Sequence, residues 1–285
     1  MLGARHAALD ASLREISLRS PDPAALADFY RRAFGYRFSK DDHGLLGIAA
    51  KRRLRIVEGG ARTLDYAGFG LAGPAEAEAL RSRLRAARVA FREQAWPGFG
   101  AAAIRFEDVD GNGFVFGVPE DPAGGGEESE TGRRPARLQH VVFATTDIGR
   151  LLDFHLRVTG FTLSDRVVDE EGGLRTAFLR CSHEHHSLAM FTTAERRLDH
   201  HCLEVGDWGL IRDWGDHFAS VHIPLKWGPG RHGPGNNLFM FVHDRDGNWV
   251  ELSAELEQVA PDRAVGEWPH EERTLNSWGI GLLRS

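Results

Sequence analysis

Leu138-Gln-His-Val-Val-Phe143 runs into Ile148-Gly-Arg-Leu-Leu-Asp-Phe-His-Leu-Arg-Val-Thr-Gly-Phe161, a short apolar stretch followed by apolar residues at helical spacing that stop at a glycine. The same order occurs near the start of the chain, where Leu13-Arg-Glu-Ile-Ser-Leu18 leads into Ala24-Ala-Leu-Ala-Asp-Phe-Tyr-Arg-Arg-Ala-Phe-Gly-Tyr36. Both read as a strand and then a helix, closed by a glycine cap at Gly160 or Gly35. Each half holds the unit a second time. Leu64-Asp-Tyr-Ala-Gly-Phe69 precedes a helical pattern over Ala75 to Val89 and a hairpin turn at Asp110-Gly-Asn112. Leu198-Asp-His-His-Cys-Leu203 precedes one over Trp208 to Ala219 and a turn at Asp246-Gly-Asn248. The pattern predicts an α+β protein of four βαβββ modules in two tandem domains, with Asp-Gly-Asn supplying the hairpin chemistry.

At 285 residues the chain has room for two modest domains. The halves are divided by a Gly- and Glu-rich stretch containing Gly124-Gly-Gly126 and Glu127-Glu-Ser-Glu130, too polar to bury its own core. The expected division is an N-terminal domain over 1–119, a linker over 120–137, a C-terminal domain over 138–257 and a tail over 258–285. A formal net charge of -6 and the absence of a Lys/Arg run give no footprint for nucleic acid or an anionic membrane, which leaves small molecules as the expected ligands. Met1 to Leu13 reads as a short helix, interrupted by Arg5, His6 and Asp10 and therefore not a signal peptide. No uncharged apolar run is long enough to span a bilayer. Two cysteines, Cys181 and Cys202, make no disulfide framework and suit a reducing cytoplasm.

Three residues of the second half carry the chemistry: His140 in the run quoted first, His200 in Leu198-Asp-His-His-Cys-Leu, and Glu251 in Gly247-Asn-Trp-Val-Glu-Leu252. Two imidazoles and one carboxylate form the set that holds a divalent iron on one face and leaves its other positions open. Strand alternation separates His200 from His201, and matching the phase of Leu138-Gln-His140 to Leu198-Asp-His200 selects His200. The N-terminal counterparts are Glu15, Tyr66 and Val115, which cannot assemble the same site, so only the C-terminal domain keeps the metal chemistry. Upstream of His200, Arg180-Cys-Ser-His-Glu-His-His-Ser-Leu-Ala-Met190 places His186 at the entry to an apolar run, where a histidine with a near-neutral pKa is suited to proton transfer. His183 is expected to be a solvated turn residue, and alternation puts His185 on the face opposite His186. Trp227-Gly-Pro-Gly-Arg-His-Gly-Pro-Gly-Asn-Asn237 reads as a loop that presents Arg231 and His232 beside the site.

From about Leu138 to Glu255 the chain resembles the type I extradiol ring-cleaving dioxygenases of the vicinal oxygen chelate (glyoxalase/bleomycin resistance) superfamily. The resemblance implies modules folded into cup-shaped mixed sheets flanked by helices. It implies an Fe(II) enzyme, with Mn(II) as the substitute, that opens a catecholic ring with O2 in aromatic catabolism, commonly as a homo-oligomer. By resemblance His140, His200 and Glu251 are the metal ligands, His186 is the catalytic acid-base, and His232 contacts substrate or oxygen. The chain departs from the family at Phe241, where a tyrosine usually stands ten residues before the glutamate ligand. A phenyl ring cannot donate that hydrogen bond, so His243, Asn237 and Arg231 become candidate substrate contacts. Trp208, Trp214, Trp227, Phe239 and Phe241 point to an apolar pocket, and the tail to a cover over its mouth or a subunit contact. Alternative readings are a non-oxidative isomerase or transferase of the same superfamily, separated by dioxygen consumption, and a ligand-sequestering protein, disfavoured by the ligand set with His186. Structural zinc is disfavoured because it wants a closed site with thiolates, and neither cysteine is placed to complete one.

Overall fold

A computed structural model describes residues 9–120 and 134–283. The first module is β1 (Ala11–Ser20), α1 (Pro23–Phe34), β2 (Arg37–Asp41), β3 (Gly44–Ala49) and β4 (Arg52–Glu58). The second is β5 (Thr63–Leu71), α2 (Pro74–Ala86), β6 (Phe91–Trp96), β7 (Gly100–Glu107) and β8 (Gly113–Gly117). The third is β9 (Arg137–Thr145), α3 (Ile148–Phe154), β10 (Thr162–Val168), β11 (Leu174–Arg180) and β12 (Leu188–Thr192). The fourth is β13 (Arg197–Gly206), α4 (Trp208–Ser220), β14 (Trp227–Arg231), β15 (Leu238–His243) and β16 (Trp249–Ala254). Four βαβββ modules are therefore present, and they pair within each half into one mixed sheet, ordered β2-β3-β4-β1-β5-β8-β7-β6 and β14-β15-β16-β13-β9-β12-β11-β10. The tail adds β17 (Gly266–Pro269) parallel to β10 at the edge of the second sheet, and then α5 (Glu272–Leu275).

Three of the four module helices start in the same way. Asp22, Asp147 and Asp207 each accept a hydrogen bond from the backbone N–H three residues on, at 3.0, 3.0 and 2.9 Å. Gly35 and Gly160 close α1 and the α3 segment in the left-handed region, at φ 73° and 89°. The last turn before Gly160, His155–Thr159, is a π-helix, which the helical spacing does not announce. The expected helix over residues 1–13 is corrected in part, because Ala11 to Leu13 already belong to β1, while residues 1–8 lie outside the described residues. Likewise Arg137 opens β9 instead of ending the linker, and residues 121–133 lie outside the described residues. Among the described residues no helix is long and apolar enough to cross a membrane.

One face of each sheet contributes to a single apolar core shared by the halves, in which Phe34 packs on Trp214 and Phe218, Phe69 on Phe161, and Phe114 on Phe143. The opposite faces carry small separate clusters, Tyr66, Trp96, Phe99, Ala103 and Val115 in the first half and Val142, Ala144, Ala189 and Phe191 in the second. The two halves are joined by a reciprocal pair of polar contacts. In the turns Asp108-Val-Asp-Gly-Asn112 and Asp244-Arg-Asp-Gly-Asn248 the first aspartate binds the backbone N–H groups two and four residues on and the side chain of the asparagine. Its second carboxylate oxygen reaches into the other half: Asp244 accepts from the Tyr30 hydroxyl at 3.0 Å, and Asp108 lies 3.4 Å from His155 Nε2. Tyr30 and His155 are five residues before Gly35 and Gly160, so they are equivalent positions of the repeat.

Burial pushes the Asp244 carboxyl up to about 6 against the hydrogen bonds that lower it, so its contribution to stability is full below the ordinary aspartate pKa and falls away as pH rises through 6. At pH 7 the buried carboxylate depends on its donors. Tyr30→Phe should therefore cost about 1.5–3 kcal/mol at pH 7 and distinctly less near pH 4.5, measured by urea unfolding at the two pH values. A loss that does not depend on pH would exclude Asp244 as the partner that matters.

Candidate metal centre

β9, β13 and β16 lie side by side, and their register places His140 opposite Cys202 and Cys202 opposite Glu251, with His200 two residues along β13. Alternation sends Val141, Phe143, Leu203, Val250 and Leu252 into the shared core and leaves His140, His200, Cys202 and Glu251 on the cup face. The donor atoms of the three expected ligands converge. His140 Nε2 is 3.0 Å from Glu251 Oε2 and 3.2 Å from His200 Nε2, and His200 Nε2 is 3.1 Å from Glu251 Oε2. Three donors at right angles around one centre, each about 2.1 Å from it, lie about 3 Å apart, which matches these separations.

Tautomers decide what the cluster can hold. His140 Nδ1 donates to Gln139 Oε1, and His200 Nδ1 donates to Asp199 Oδ2 at 2.7 Å. Gln139 is itself oriented, because its Nε2 donates to the His186 carbonyl at 2.6 Å. With both Nδ1 atoms protonated, both Nε2 atoms present lone pairs towards the Glu251 carboxylate. Three buried acceptors facing one another without a donor are repulsive unless a cation sits among them, so the residues present fit a divalent metal. Glu251 is oriented from behind by Asn237, whose Nδ2 donates to Oε1 at 3.3 Å and to Ser253 Oγ at 3.0 Å. Burial pushes the Glu251 carboxyl up, but the imidazoles of His140, His200 and His232 outweigh it and hold the group well below its ordinary value.

A pocket opens above these atoms, lined by Val142, Phe178, Ala189, Phe191, Trp227 and Phe241 as well as His140, His186, His200, His232 and Glu251. The His186 ring lies 4.4 Å from that of His140, and burial, with His140 next, holds its pKa well below the ordinary value, so the imidazole is neutral. His232 is stacked on Phe239 at 3.9 Å, gives its Nδ1 to the Leu275 carbonyl and turns Nε2 to within 3.7 Å of Glu251 Oε1. Phe241 stands edge-on to His200 at 5.2 Å and stacks on Trp227. From the tail, Thr274, Leu275 and Leu282 complete the lining.

Other expected contacts lie elsewhere. Arg231 points away to the Asn236 carbonyl (2.7 Å), Glu255 (2.6 Å) and the face of Trp278, because β14 turns its side chain towards the tail. His243 packs its ring on Trp249 at 4.2 Å, two residues beyond Phe241 on β15 and outside the pocket lining. Asn237 sits behind Glu251, outside the pocket. Of the aromatic residues expected around the pocket, Trp227 and Phe241 line it, whereas Trp214 belongs to the core and Trp208 is exposed against Trp278. His183 is exposed. His185 is not on an opposite strand face, because β12 begins only at Leu188; it is fully buried and meets His186 directly. His201 faces the core beside Tyr30.

Sequence reasoning missed Cys202. Its sulfur lies with the His140 and Glu251 donors inside one 4.8 Å group, although neither cysteine was expected to be placed where it could complete a closed four-ligand site. The i, i+2 spacing from His200 on a strand was the available signal. Burial pushes its thiol well above the ordinary value, with Glu251 adding to the effect, so it stays protonated and is the poorer ligand beside a His200 nitrogen about 3 Å from both partners. The equivalent face of the first half is filled instead. Glu15, the counterpart of His140, accepts from Arg53 at 2.7 Å and Arg55 at 3.2 Å and contacts Tyr66, which in turn accepts from Trp96 Nε1 at 3.0 Å.

In comparisons with known proteins, residues 137–252 match the family model for the Glyoxalase/Bleomycin resistance protein/Dioxygenase superfamily. The chain is 28% identical over 293 residues to a protein named metapyrocatechase 2 from Cupriavidus necator, covering 94% of this chain and 88% of that one. It is also 28% identical over 250 residues to an iron-dependent extradiol dioxygenase from Rhodococcus jostii (strain RHA1), covering 80% and 81%. Among solved structures, homoprotocatechuate 2,3-dioxygenase from Brevibacterium fuscum in complex with 3,4-dihydroxyphenylacetate superposes with a TM-score of 0.84 at 20% identity, over 99% of this chain and 93% of that one. The fold is the vicinal oxygen chelate fold of the type I extradiol dioxygenases.

Both thiols are buried, and burial pushes Cys181 up to about 12. Neither cysteine should react with a thiol reagent in the native protein, and both should after unfolding. Rapid modification of Cys202 in the native state would place it outside the site's floor.

Proposed function

We propose that this protein is an Fe(II)-dependent extradiol dioxygenase, which opens the ring of a catechol beside its diol with O2. The carrying observation is the convergence of three buried lone-pair acceptors, on His140, His200 and Glu251, at the floor of an apolar pocket that also holds a neutral histidine. His140, His200 and Glu251 would hold the iron, with Mn(II) as the alternative for the same donors. The names of the relatives from Cupriavidus necator and Rhodococcus jostii support the same reading.

When bound, iron supplies open positions at which a vicinal diol and O2 are brought together. The chain's own residues do the rest. His186, neutral and within the pocket lining, accepts a proton from a diol hydroxyl and returns it later. His232, with its Nδ1–H committed to the Leu275 carbonyl, offers Nε2 as a second proton-accepting nitrogen in the pocket lining. Val142, Phe178, Ala189, Phe191 and Trp227 surround the ring and exclude water. Phe241 provides an edge contact to His200 and no hydroxyl, so the ring is held on that side by packing alone.

In this proposal the first half, residues 1–119, is a scaffold whose own cup is closed by Glu15, Arg53, Arg55 and Tyr66. Residues 138–257 are the catalytic domain, joined through the 120–137 linker and followed by the tail over 258–285. Aromatic catabolism in the cytoplasm and a homo-oligomeric assembly complete the proposal. The exposed apolar side chains Trp208, Trp278, Ile280 and Leu283 support a subunit contact at the tail.

Protein prepared without oxygen should bind about one Fe(II) per chain, and alanine at His140, His200 or Glu251 should abolish both iron and turnover while preserving the circular dichroism spectrum. The assay is oxygen uptake, with the yellow ring-opened product, on catechol, 3-methylcatechol, 2,3-dihydroxybiphenyl and 3,4-dihydroxyphenylacetate. Absence of oxygen consumption on every diol by iron-loaded protein would replace this reading with the non-oxidative one.

A further inference from the structure

We propose that Asp165 and His185 are positioning residues that fix the tautomer and orientation of His186, and that the C-terminal tail holds them in place. The proposal rests on the reading of His186 as the proton-transfer group.

Asp165, on β10, is fully buried beneath the pocket wall. Its Oδ1 accepts from Arg263 Nη1 at 2.7 Å and from the Gly266 N–H at 3.1 Å, and its Oδ2 accepts from Trp268 Nε1 at 2.7 Å. All three donors come from the tail. The same Oδ2 lies 3.1 Å from Nε2 of His185, in an ion-pair approach rather than a linear hydrogen bond. His185 is fully buried, and its other ring nitrogen, Nδ1, is 3.0 Å from Nδ1 of His186.

With one proton on each imidazole, the donors and acceptors along this chain run in one order. A carboxylate only accepts, so the His185 proton facing it sits on Nε2. A neutral His185 then presents a lone pair at Nδ1, and His186 must place its own proton on Nδ1 to meet it. That leaves His186 Nε2 unprotonated as the ring nitrogen for a diol hydroxyl. When Nε2 takes the proton, the cation that forms is hydrogen-bonded to His185, which itself lies in ion-pair contact with a buried carboxylate, an order of groups similar to the one that orients a catalytic imidazole in hydrolase triads. Neither Asp165 nor His185 lines the pocket, so both act through His186.

The test uses anaerobic, iron-loaded full-length protein carrying His185→Ala, His185→Gln, Asp165→Asn, His186→Ala and the His185→Ala/His186→Ala double substitution. Asp165→Asn also loosens the tail, so the His185 variants carry the decision. Iron content and anaerobic binding of 4-nitrocatechol should be unchanged in the His185 variants, because no metal ligand is touched. Their kcat should fall by about 10- to 100-fold with little change in KM, and the absorbance change that reports ionisation of bound 4-nitrocatechol should slow in parallel. His185→Gln, which keeps a polar group next to His186 Nδ1, should recover part of the loss. The double variant should be no worse than His186→Ala alone, since residues acting through one group are not additive. Unchanged turnover and ionisation in His185→Ala, or losses that multiply in the double variant, would overturn the proposal. Normal turnover in His186→Ala would overturn it through its premise. That outcome is distinct from failure of the dioxygenase reading itself, in which the unsubstituted protein consumes no oxygen with any diol.

Discussion

The centre depends on two β-bulges. Along the β9–β13 pairing, Phe143 faces Leu198 and Val142 faces His200, so Asp199 is an extra residue on β13; further on, His140 faces Cys202 and Leu138 faces Leu203, so Gln139 is an extra residue on β9. Each bulge immediately precedes an expected ligand, and a bulge re-aims the side chain that follows it. Leu138 and Leu198 remain in the shared core while His140 and His200, two residues later, turn to the cup, which unbroken alternation would forbid. The displaced residues then become useful: Gln139 and Asp199 are the groups that accept from the two Nδ1 atoms. One backbone irregularity thus both aims an imidazole and sets its tautomer.

The first half contains the same two bulges with different side chains. Glu15 faces Gly68 and Leu13 faces Phe69, which makes Arg14 the extra residue; Ser17 faces Tyr66 and Leu18 faces Leu64, which makes Asp65 the other. The register of Glu15, Gly68 and Val115 across β1, β5 and β8 repeats that of His140, Cys202 and Glu251. The scaffold is therefore common, and only its occupants differ. Where the second half converges three acceptors, the first pairs the buried Glu15 carboxylate with the guanidinium groups of Arg53 and Arg55. A buried carboxylate needs a compensating cation in either cup. In the first half the chain provides it covalently.

This explains what was legible. Helix positions, glycine caps and the Asp-Gly-Asn turns follow from local chemistry, and comparison of the halves assigned Glu15, Tyr66 and Val115 as counterparts because that comparison carries the bulges implicitly. Alternation alone failed where the backbone leaves the strand. His185 and His186 precede β12, so face assignment by parity had no basis there, and the contact from Asp165 spans 20 residues of sequence. Arg231 and His243 were drawn towards the site by proximity in sequence, whereas β14 and the end of β15 send them to the tail and to Trp249. Cys202 was hidden by its chemistry more than by its place. Its strand phase with His200 was readable, but nothing in a single sequence states that a buried thiol will remain neutral.

Charge balance accounts for the inequality between the two imidazoles. His140 leans on the neutral amide of Gln139, whereas His200 leans on the carboxylate of Asp199, which makes it the more basic donor. Asp199 is buried, and Arg197 Nη2 lies 3.7 Å from its other oxygen. A diol that enters and ionises adds negative charge to a buried, apolar pocket. In the proposed function the group that offsets it is His186 at the pocket wall, which becomes cationic by taking the proton the diol releases. Proton transfer from the diol to the wall therefore keeps the pocket near neutrality, and the neutral ground state of His186, set by burial, is what makes that transfer available.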